Sequence, residues 1–171
     1  MASEQPKHQE SEQSQPALDE HGQALVALLE ETLQTFHPEI GSTLGEVVVT
    51  VQPQQVAEVT GNLREDPRTA CDLLRCLSVV DYQDRFEIVY HLYSTEQSHH
   101  FVVKASVDSE DPRLPSVIGV WPGADWYERE GHDLFGVVFE GHPNLAPLLL
   151  YEGFEGYPGR KSYPFHDYEE W

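Results

Sequence analysis

Basic residues are scarce in this sequence. Lys and Arg together number 10, against 30 Asp and Glu, which gives a formal net charge of −20 with His neutral. A chain this acidic repels phosphate backbones, so its composition argues against a nucleic-acid-binding protein and against direct binding to anionic lipid. Any association with a membrane is therefore expected to come through partner proteins.

Long apolar runs are also missing. The longest, such as VVVTV and APLLL, fall far short of the roughly 20 residues that a membrane-spanning helix needs. The opening stretch, MASEQPKHQESEQSQP, lacks the apolar core of a secretory signal. Hydrophobic residues still make up 39% of the chain and aromatic residues 11%, which predicts one packed core with a polar fringe.

Cysteine is limited to Cys71 and Cys76. Iron–sulfur clusters usually take four thiolates, so this chain alone is not expected to hold one. The C-x4-C spacing leaves half a metal site, a disulfide, or two small buried residues in a strand. The last is favoured, because no second Cys pair completes a tetrahedral site and no secretion signal indicates an oxidising compartment.

Catalytic and nucleotide-binding motifs are absent as well. The His residues show neither H-x3-H nor H-E-x-x-H spacing, and no G-x-S-x-G, G-x-G-x-x-G or P-loop sequence occurs. The adjacent residues His132 and Asp133 are a weak metal candidate, because neighbouring helical side chains point apart. We therefore assign no catalytic, cofactor-binding or metal-ligating residue to this chain.

Periodicity predicts an α+β domain over residues 18–140. A polar tail at 1–17, disordered or docked, precedes it, and an extended Gly/Pro/aromatic tail at 141–171 follows. Apolar spacing predicts helices over 19–36, 53–64 and 125–134. Alternation and β-branched runs predict strands over 46–52, 71–80, 85–94, 99–107 and 137–139, with a turn at 41–45 and a loop at 108–115. Strands joined by short links favour a mixed or antiparallel sheet with helices on one face.

The densest charged cluster lies on the last predicted helix. Glu130 and Asp133 share a helical face with Trp126, and Arg129 lies four residues before Asp133. Two interpretations remain open. One is a partly buried network of salt bridges that fixes the helix, and the other is a pair of carboxylates, Glu130 with Asp133, for acid–base chemistry. The residue types favour the structural interpretation.

The C-terminal segment is rich in aromatic side chains that cannot build a core of their own. Exposed, they would form a large apolar surface, so we expect them to lie along another protein as anchors, with a solvated tail as the alternative. Arg160 and Lys161 are expected to pair with an acidic surface of this chain or of a neighbour. The aromatic residues concerned are Tyr151, Phe154, Tyr157, Tyr163, Phe165, Tyr168 and Trp171.

Four short motifs stand in fixed register between residues 108 and 164. They are WPGADW at 121–126, ERE at 128–130, DLFG at 133–136 and GHP at 141–143. Together they resemble the 30-kDa subunit family of respiratory complex I, the NADH-quinone oxidoreductase. The resemblance is diffuse over 18–107, and residues 1–17 match nothing in it.

The resemblance implies a non-catalytic core subunit in the hydrophilic arm of a proton-pumping complex. Its partners would be the large quinone-site subunit and the subunit that carries the terminal iron–sulfur cluster. FMN and the clusters are expected on other subunits and no cofactor on this chain. The implied location is peripheral, on the cytoplasmic face of a bacterial or archaeal cell membrane. Structural or interface roles are implied for Glu128, Arg129, Glu130, Asp133, His142, Pro143, Arg160, Lys161 and Tyr163.

The tail departs from the family's pattern. Tyr151 replaces a Pro, Gly153 an Asp, Phe154 a Trp and Tyr157 a His. A tail contact rewritten in this way keeps an alternative open, namely the equivalent subunit of an energy-converting nickel–iron hydrogenase or of a ferredoxin- or F420-linked oxidoreductase. A freestanding enzyme that uses Glu130 and Asp133 is the remaining alternative.

Overall fold

The computed structural model describes residues 17–164. It contains three helices: α1 (Glu20–Thr32), α2 (Val56–Glu65) and α3 (Ala124–Phe135). Its strands, in chain order, are β1 (Glu39–Thr43), β2 (Glu46–Val51), β3 (Leu73–Asp81), β4 (Arg85–Tyr93), β5 (His100–Asp108), β6 (Arg113–Pro115) and β7 (Val138–Glu140).

Five strands form one mixed sheet in the order β1-β2-β5-β4-β3. Only the β2–β5 pair is parallel, with Val49 opposite Val103, and the other pairs are antiparallel. Strands β6 and β7 form a separate parallel pair. The α+β fold with a mixed sheet is therefore confirmed.

The core lies between one face of the sheet and the helices. Val49, Ile88 and Val103 are fully buried there, in one cluster with Leu29 of α1 and Leu63 of α2. Alternation along β4 and β5 places these residues on the helix side, as the sequence predicts. No helix within residues 17–164 has the length and apolar character needed to cross a bilayer.

Two predicted connections are wrong. Most of the predicted turn at 41–45 belongs to β1, so the hairpin turn is only Leu44 and Gly45, with φ of 54° and 83°. The predicted loop at 108–115 contains β6, which pairs with β7, a strand that follows α3 in the chain. Both missed strands are short and partly polar, and each is stabilised by a strand that its own sequence does not contain.

The first helix is shorter than predicted. Asp19 caps it, with its carboxylate accepting a 2.7 Å hydrogen bond from the Gly22 N–H, but the α-helix ends at Thr32. A 3₁₀ turn over Gln34–Phe36 completes the predicted span. The bounds of α3 differ from the predicted 125–134 by one residue at each end.

Both cysteine thiols are free. Cys71 is buried just before β3, and its burial raises its pKa to about 12, whereas Cys76 on β3 is half-buried. Among residues 17–164, no group of three or more His, Cys, Asp or Glu side chains is arranged to hold a metal ion. The interpretation of Cys71 as a small buried residue is confirmed.

Candidate interface on helix α3

Helix α3 ends where a glycine is required. Gly136 has φ of +75°, and its N–H donates to the His132 carbonyl at 2.8 Å. A Cβ at this position would lie 2.6 Å from the Tyr157 ring and 2.9 Å from the Arg160 side chain. The glycine therefore both ends the helix and lets the C-terminal segment pack against it.

Glu128 is the buried carboxyl of α3. It accepts hydrogen bonds from the Ser116 hydroxyl at 2.5 Å and from the Val117 N–H at 2.7 Å. Burial raises its pKa to about 7, although both hydrogen bonds favour the charged form. The hydroxyl of Tyr90, on β4, is also buried, and its pKa is raised well above the usual value by burial and by the charge of Glu128.

Arg129 and Asp133 hold the backbone of one short segment, residues 146–150, which we call the leucine loop. Asp133 Oδ2 accepts from the N–H groups of Leu148, Leu149 and Leu150 at 3.1, 2.8 and 2.9 Å. Arg129 donates from Nε to the carbonyl of residue 146 at 3.1 Å and from Nη2 to that of residue 147 at 2.9 Å. Two helical side chains thus bind the backbone of every residue in the loop.

The ionisation of Asp133 suits this role. Burial alone would raise the pKa of its carboxyl, but the three N–H donors of the leucine loop outweigh burial and hold the pKa below its ordinary value of 3.8. Asp133 is therefore a carboxylate at neutral pH, in which state it accepts the loop's N–H groups most strongly.

The predicted salt-bridge network on α3 is wrong. Within residues 17–164, no ion pair joins Glu128, Arg129 and Asp133, because their partners are one hydroxyl and backbone groups. Glu130 lies exposed to solvent, while Asp133 directs Oδ2 at the leucine loop. The geometry therefore lends no support to Glu130 and Asp133 as an acid–base pair.

His142 fixes the segment that follows β7. Its side chain is fully buried, and its Nδ1 accepts from the Asn144 N–H at 3.1 Å. An accepting Nδ1 places the proton on Nε2, which lies 3.1 Å from Asp125 Oδ1 in the first turn of α3. The neighbouring Pro143 is exposed.

Arg160 attaches the C-terminal segment to the end of α3. Its Nε donates to the Phe135 carbonyl at 2.7 Å. Its guanidinium carbon lies 5.0 Å from the centre of the Phe86 ring and 4.7 Å from that of Tyr157. Arg160 is thus held between two aromatic rings and a carbonyl, in place of the acidic partner that the sequence suggests.

The residues beside Arg160 bind through their backbone. The N–H of Gly159 donates to the Leu134 carbonyl at 2.9 Å, and that of Lys161 to Asp81 Oδ2, at the end of β3, at 2.7 Å. The Lys161 residue is itself exposed. The described part of the C-terminal segment therefore packs on its own domain, and its binding to another protein stays a prediction.

Tyr163 completes this packing. Its ring stacks on Phe154 with centroids 6.1 Å apart, and its hydroxyl donates to the Glu155 carbonyl at 3.4 Å. Three further aromatic residues that the sequence suggests as anchors, Phe165, Tyr168 and Trp171, lie outside the described residues.

Three large apolar side chains stay exposed around the leucine loop. Trp126 is 65% exposed, Leu149 60% and Tyr151 72%, and we call them the apolar surface. Trp126 and Asp133 are seven residues apart, hence on one face of α3, so the loop that Asp133 holds continues the face that carries Trp126. A fixed, solvent-exposed surface of this kind is suited to binding a protein.

Sequence reasoning missed the leucine loop. The Gly and Pro content of residues 141–171 predicts one extended tail, although the run LAPLLLY at 145–151 lies beside α3. The available signal was a cluster of leucines without helical periodicity directly after the GHP motif.

Residues 49–169 match the model of a protein family, the 30 kDa subunit of respiratory-chain NADH dehydrogenase. The chain belongs to this family. The family predicted from the four motifs is confirmed, and the curated relatives agree with it. The equivalent NADH-quinone oxidoreductase subunit of Parvibaculum lavamentivorans is 40% identical over 157 residues, covering 90% of this chain and 76% of that one. That of a Roseiflexus strain is 42% identical over 123 residues, 70% of this chain and 71% of that one.

Solved structures extend the similarity of this 30 kDa subunit. A trypsin-resistant fragment of Nqo5 matches with a TM-score of 0.57 at 31% identity, covering 70% of this chain and 98% of the fragment. A chain of the membrane-bound sulfane sulfur reductase, an archaeal respiratory membrane complex, matches with a TM-score of 0.71 at 27% identity, covering 85% of this chain and 86% of that one.

Proposed function

We propose that this chain is a non-catalytic core subunit of the hydrophilic arm of a proton-pumping NADH-quinone oxidoreductase. Its role is to hold the large quinone-site subunit and the terminal-cluster subunit in fixed positions. FMN and the iron–sulfur clusters belong to other subunits. The names of its relatives support the type of complex, and the apolar surface on α3 is the observation that supports a scaffolding role.

The leucine loop suits such a role because it is ordered before any partner binds. Arg129 and Asp133 already hold its backbone, so binding through Leu149 and Tyr151 requires little further ordering of the chain. Exposed Trp and Tyr side chains on a fixed backbone are the residues that most often dominate binding energy at protein interfaces.

A rigid subunit fits the chemistry of the complex. Electron transfer between clusters and a quinone depends on fixed distances, which a scaffold maintains by holding its neighbours on rigid elements. The charge of −20 disfavours direct contact with anionic lipid. We therefore expect a peripheral position on the cytoplasmic face of the membrane, reached through the partner subunits.

Removing the apolar surface tests this proposal. Trp126→Ala and Tyr151→Ala alter exposed side chains, so the free energy of unfolding of the isolated chain should change by no more than about 0.5 kcal/mol. Loss of an interface anchor costs about 2 kcal/mol, so the amount of chain that co-purifies with the membrane complex should fall about thirtyfold.

Leu44→Ala is the matched control, since Leu44 is 78% exposed on the far hairpin. It should leave co-purification unchanged. Full retention of both α3 variants in the complex would contradict an interface at this surface.

A second candidate is the equivalent subunit of a related membrane-bound complex. The match to a chain of the sulfane sulfur reductase complex, with a TM-score of 0.71 over 85% of this chain, favours it. Purifying the intact complex from native membranes separates the two. Recovery of flavin- and NADH-binding subunits supports the first proposal, whereas a nickel-containing subunit, or the absence of an NADH-binding one, supports the second.

A further inference from the structure

Strand β3 has an open edge. It is nine residues long and lies last in the sheet order, paired with β4 on one side only. Within residues 17–164, no strand pairs with its other side. Open edges of this length present unpaired N–H and C=O groups, which proteins usually cover or block.

Helix α3 covers only the first part of this edge. The register of β3 against β4 shifts between Leu74 and Cys76, and the hydroxyl of Tyr127 donates to the Arg75 carbonyl at that point, at 3.0 Å. Beyond it, no residue between 17 and 164 pairs with the outer edge of residues 76–80. Val80, at the far end, is 38% exposed.

A groove of about 360 Å³ runs beside this uncovered stretch, between β3 and α3. Its walls are mainly apolar, and its volume suits a few side chains of an extended peptide. The lining residues are Cys76, Leu77, Ser78, Val79, Tyr127, Glu130, Gly131, Leu134 and Phe135.

The rim of the groove carries a negative charge. Glu130 is exposed there and forms no ion pair or hydrogen bond with any residue in the described range 17–164. The whole chain has a net charge of −20. A basic side chain is therefore the complementary partner for this position.

We propose that an extended segment of a neighbouring subunit adds to β3 as the next strand of the sheet. Its backbone pairs with the outer edge of residues 76–80, alternate apolar side chains enter the groove, and a Lys or Arg lies against Glu130. The inference rests on the proposed function in that the partner belongs to the same complex. It uses a different flank of α3 from the apolar surface.

Cysteine labelling tests whether the groove is filled. Cys76 lines the groove, whereas Cys71 is buried with a pKa raised to about 12, so N-ethylmaleimide should modify only Cys76 in the isolated full-length chain. In the purified complex, the modification rate of Cys76 should be at least about tenfold lower, because access limits thiol reactivity. Cys76→Ser, which should take up no label, confirms the site.

Hydrogen exchange then distinguishes strand addition from simple covering. A paired strand slows exchange of the outward amides among residues 76–80 by about tenfold or more when the complex forms. A partner that only covers the side chains leaves these backbone amides exchanging as in the isolated chain. That result, or a Cys76 labelled equally fast in both states, would overturn the proposal.

Charge reversal tests the basic partner. Glu130→Lys should make the chain dissociate from the complex about fivefold more readily, the range expected for one surface ion pair. Glu30→Lys, an exposed position on α1, should have no effect. If Glu130→Lys behaves like the control, the basic segment is refuted while the proposed function stands. If the wild-type chain is recovered with no respiratory complex, the proposed function itself fails.

Discussion

At the scale of single residues, α3 works through backbone partners. The sequence singles out Glu128, Arg129 and Asp133, and the structure places all three at contacts that fix loops. What the sequence could not supply is the identity of those partners. Every residue carries a C=O and all but proline an N–H, so a bond from a side chain to backbone leaves no mark in the sequence pattern.

Asp133 is expected to control the order of the leucine loop. Asp133→Ala leaves the N–H groups of Leu148, Leu149 and Leu150 without their acceptor, so unfolding should require about 2 kcal/mol less free energy. Hydrogen exchange at these three amides should accelerate together. Glu130→Ala, at an exposed position on the same helix, is the control and should change stability by less than about 0.5 kcal/mol.

At the scale of elements, local pattern predicts the buried strands and misses the short ones. Strands β2, β4 and β5 carry β-branched runs or strict alternation, so the sequence predicts the bounds of each to within a residue or two. Strand β1 is almost wholly exposed, and β6 has three residues. Both depend on pairing with another segment, and pairing is not visible in a short window of sequence.

The β1–β2 turn offers a stabilising substitution. Leu44 and Gly45 both have positive φ, the geometry of a two-residue turn that favours Asn-Gly. Because Leu44 is 78% exposed, it contributes little packing. Leu44→Asn should therefore raise the free energy of unfolding by about 0.5 to 1 kcal/mol, measured by urea denaturation.

Gly45→Ala is the opposite test of the same turn. Its φ of 83° strains any residue with a Cβ, so this variant should lower stability by about 1 kcal/mol. A Leu44→Asn chain no more stable than the wild type would contradict the assigned turn geometry.

At the scale of the whole molecule, the acidic groups affect stability with opposite signs. Hydrogen bonds from Arg68 and from Thr95 lower the pKa values of Asp66 and Asp72, and the leucine loop lowers that of Asp133. These carboxylates contribute stability that is lost as the pH falls through their folded-state pKa values. Glu128 behaves in the opposite way, because burial raises its pKa.

The pH dependence of unfolding should reveal Glu128. Its pKa rises from 4.5 to about 7 on folding, so the folded chain binds its proton more tightly than the unfolded chain. The resulting stability is fully present below pH 4.5 and is lost as the pH rises through 7, at no more than about 1.4 kcal/mol per pH unit. Glu128→Gln, which has no proton to lose, should remove this component.

Urea denaturation of the wild type and of Glu128→Gln between about pH 5 and pH 8 measures the effect as a difference. Histidines titrate in the same range, but they are common to both chains and cancel when one curve is subtracted from the other, provided that they lie away from the substituted site. The wild type should lose stability relative to the variant as the pH rises. Parallel curves would mean that Glu128 is ionised throughout, and that Ser116 and Val117 offset its burial fully.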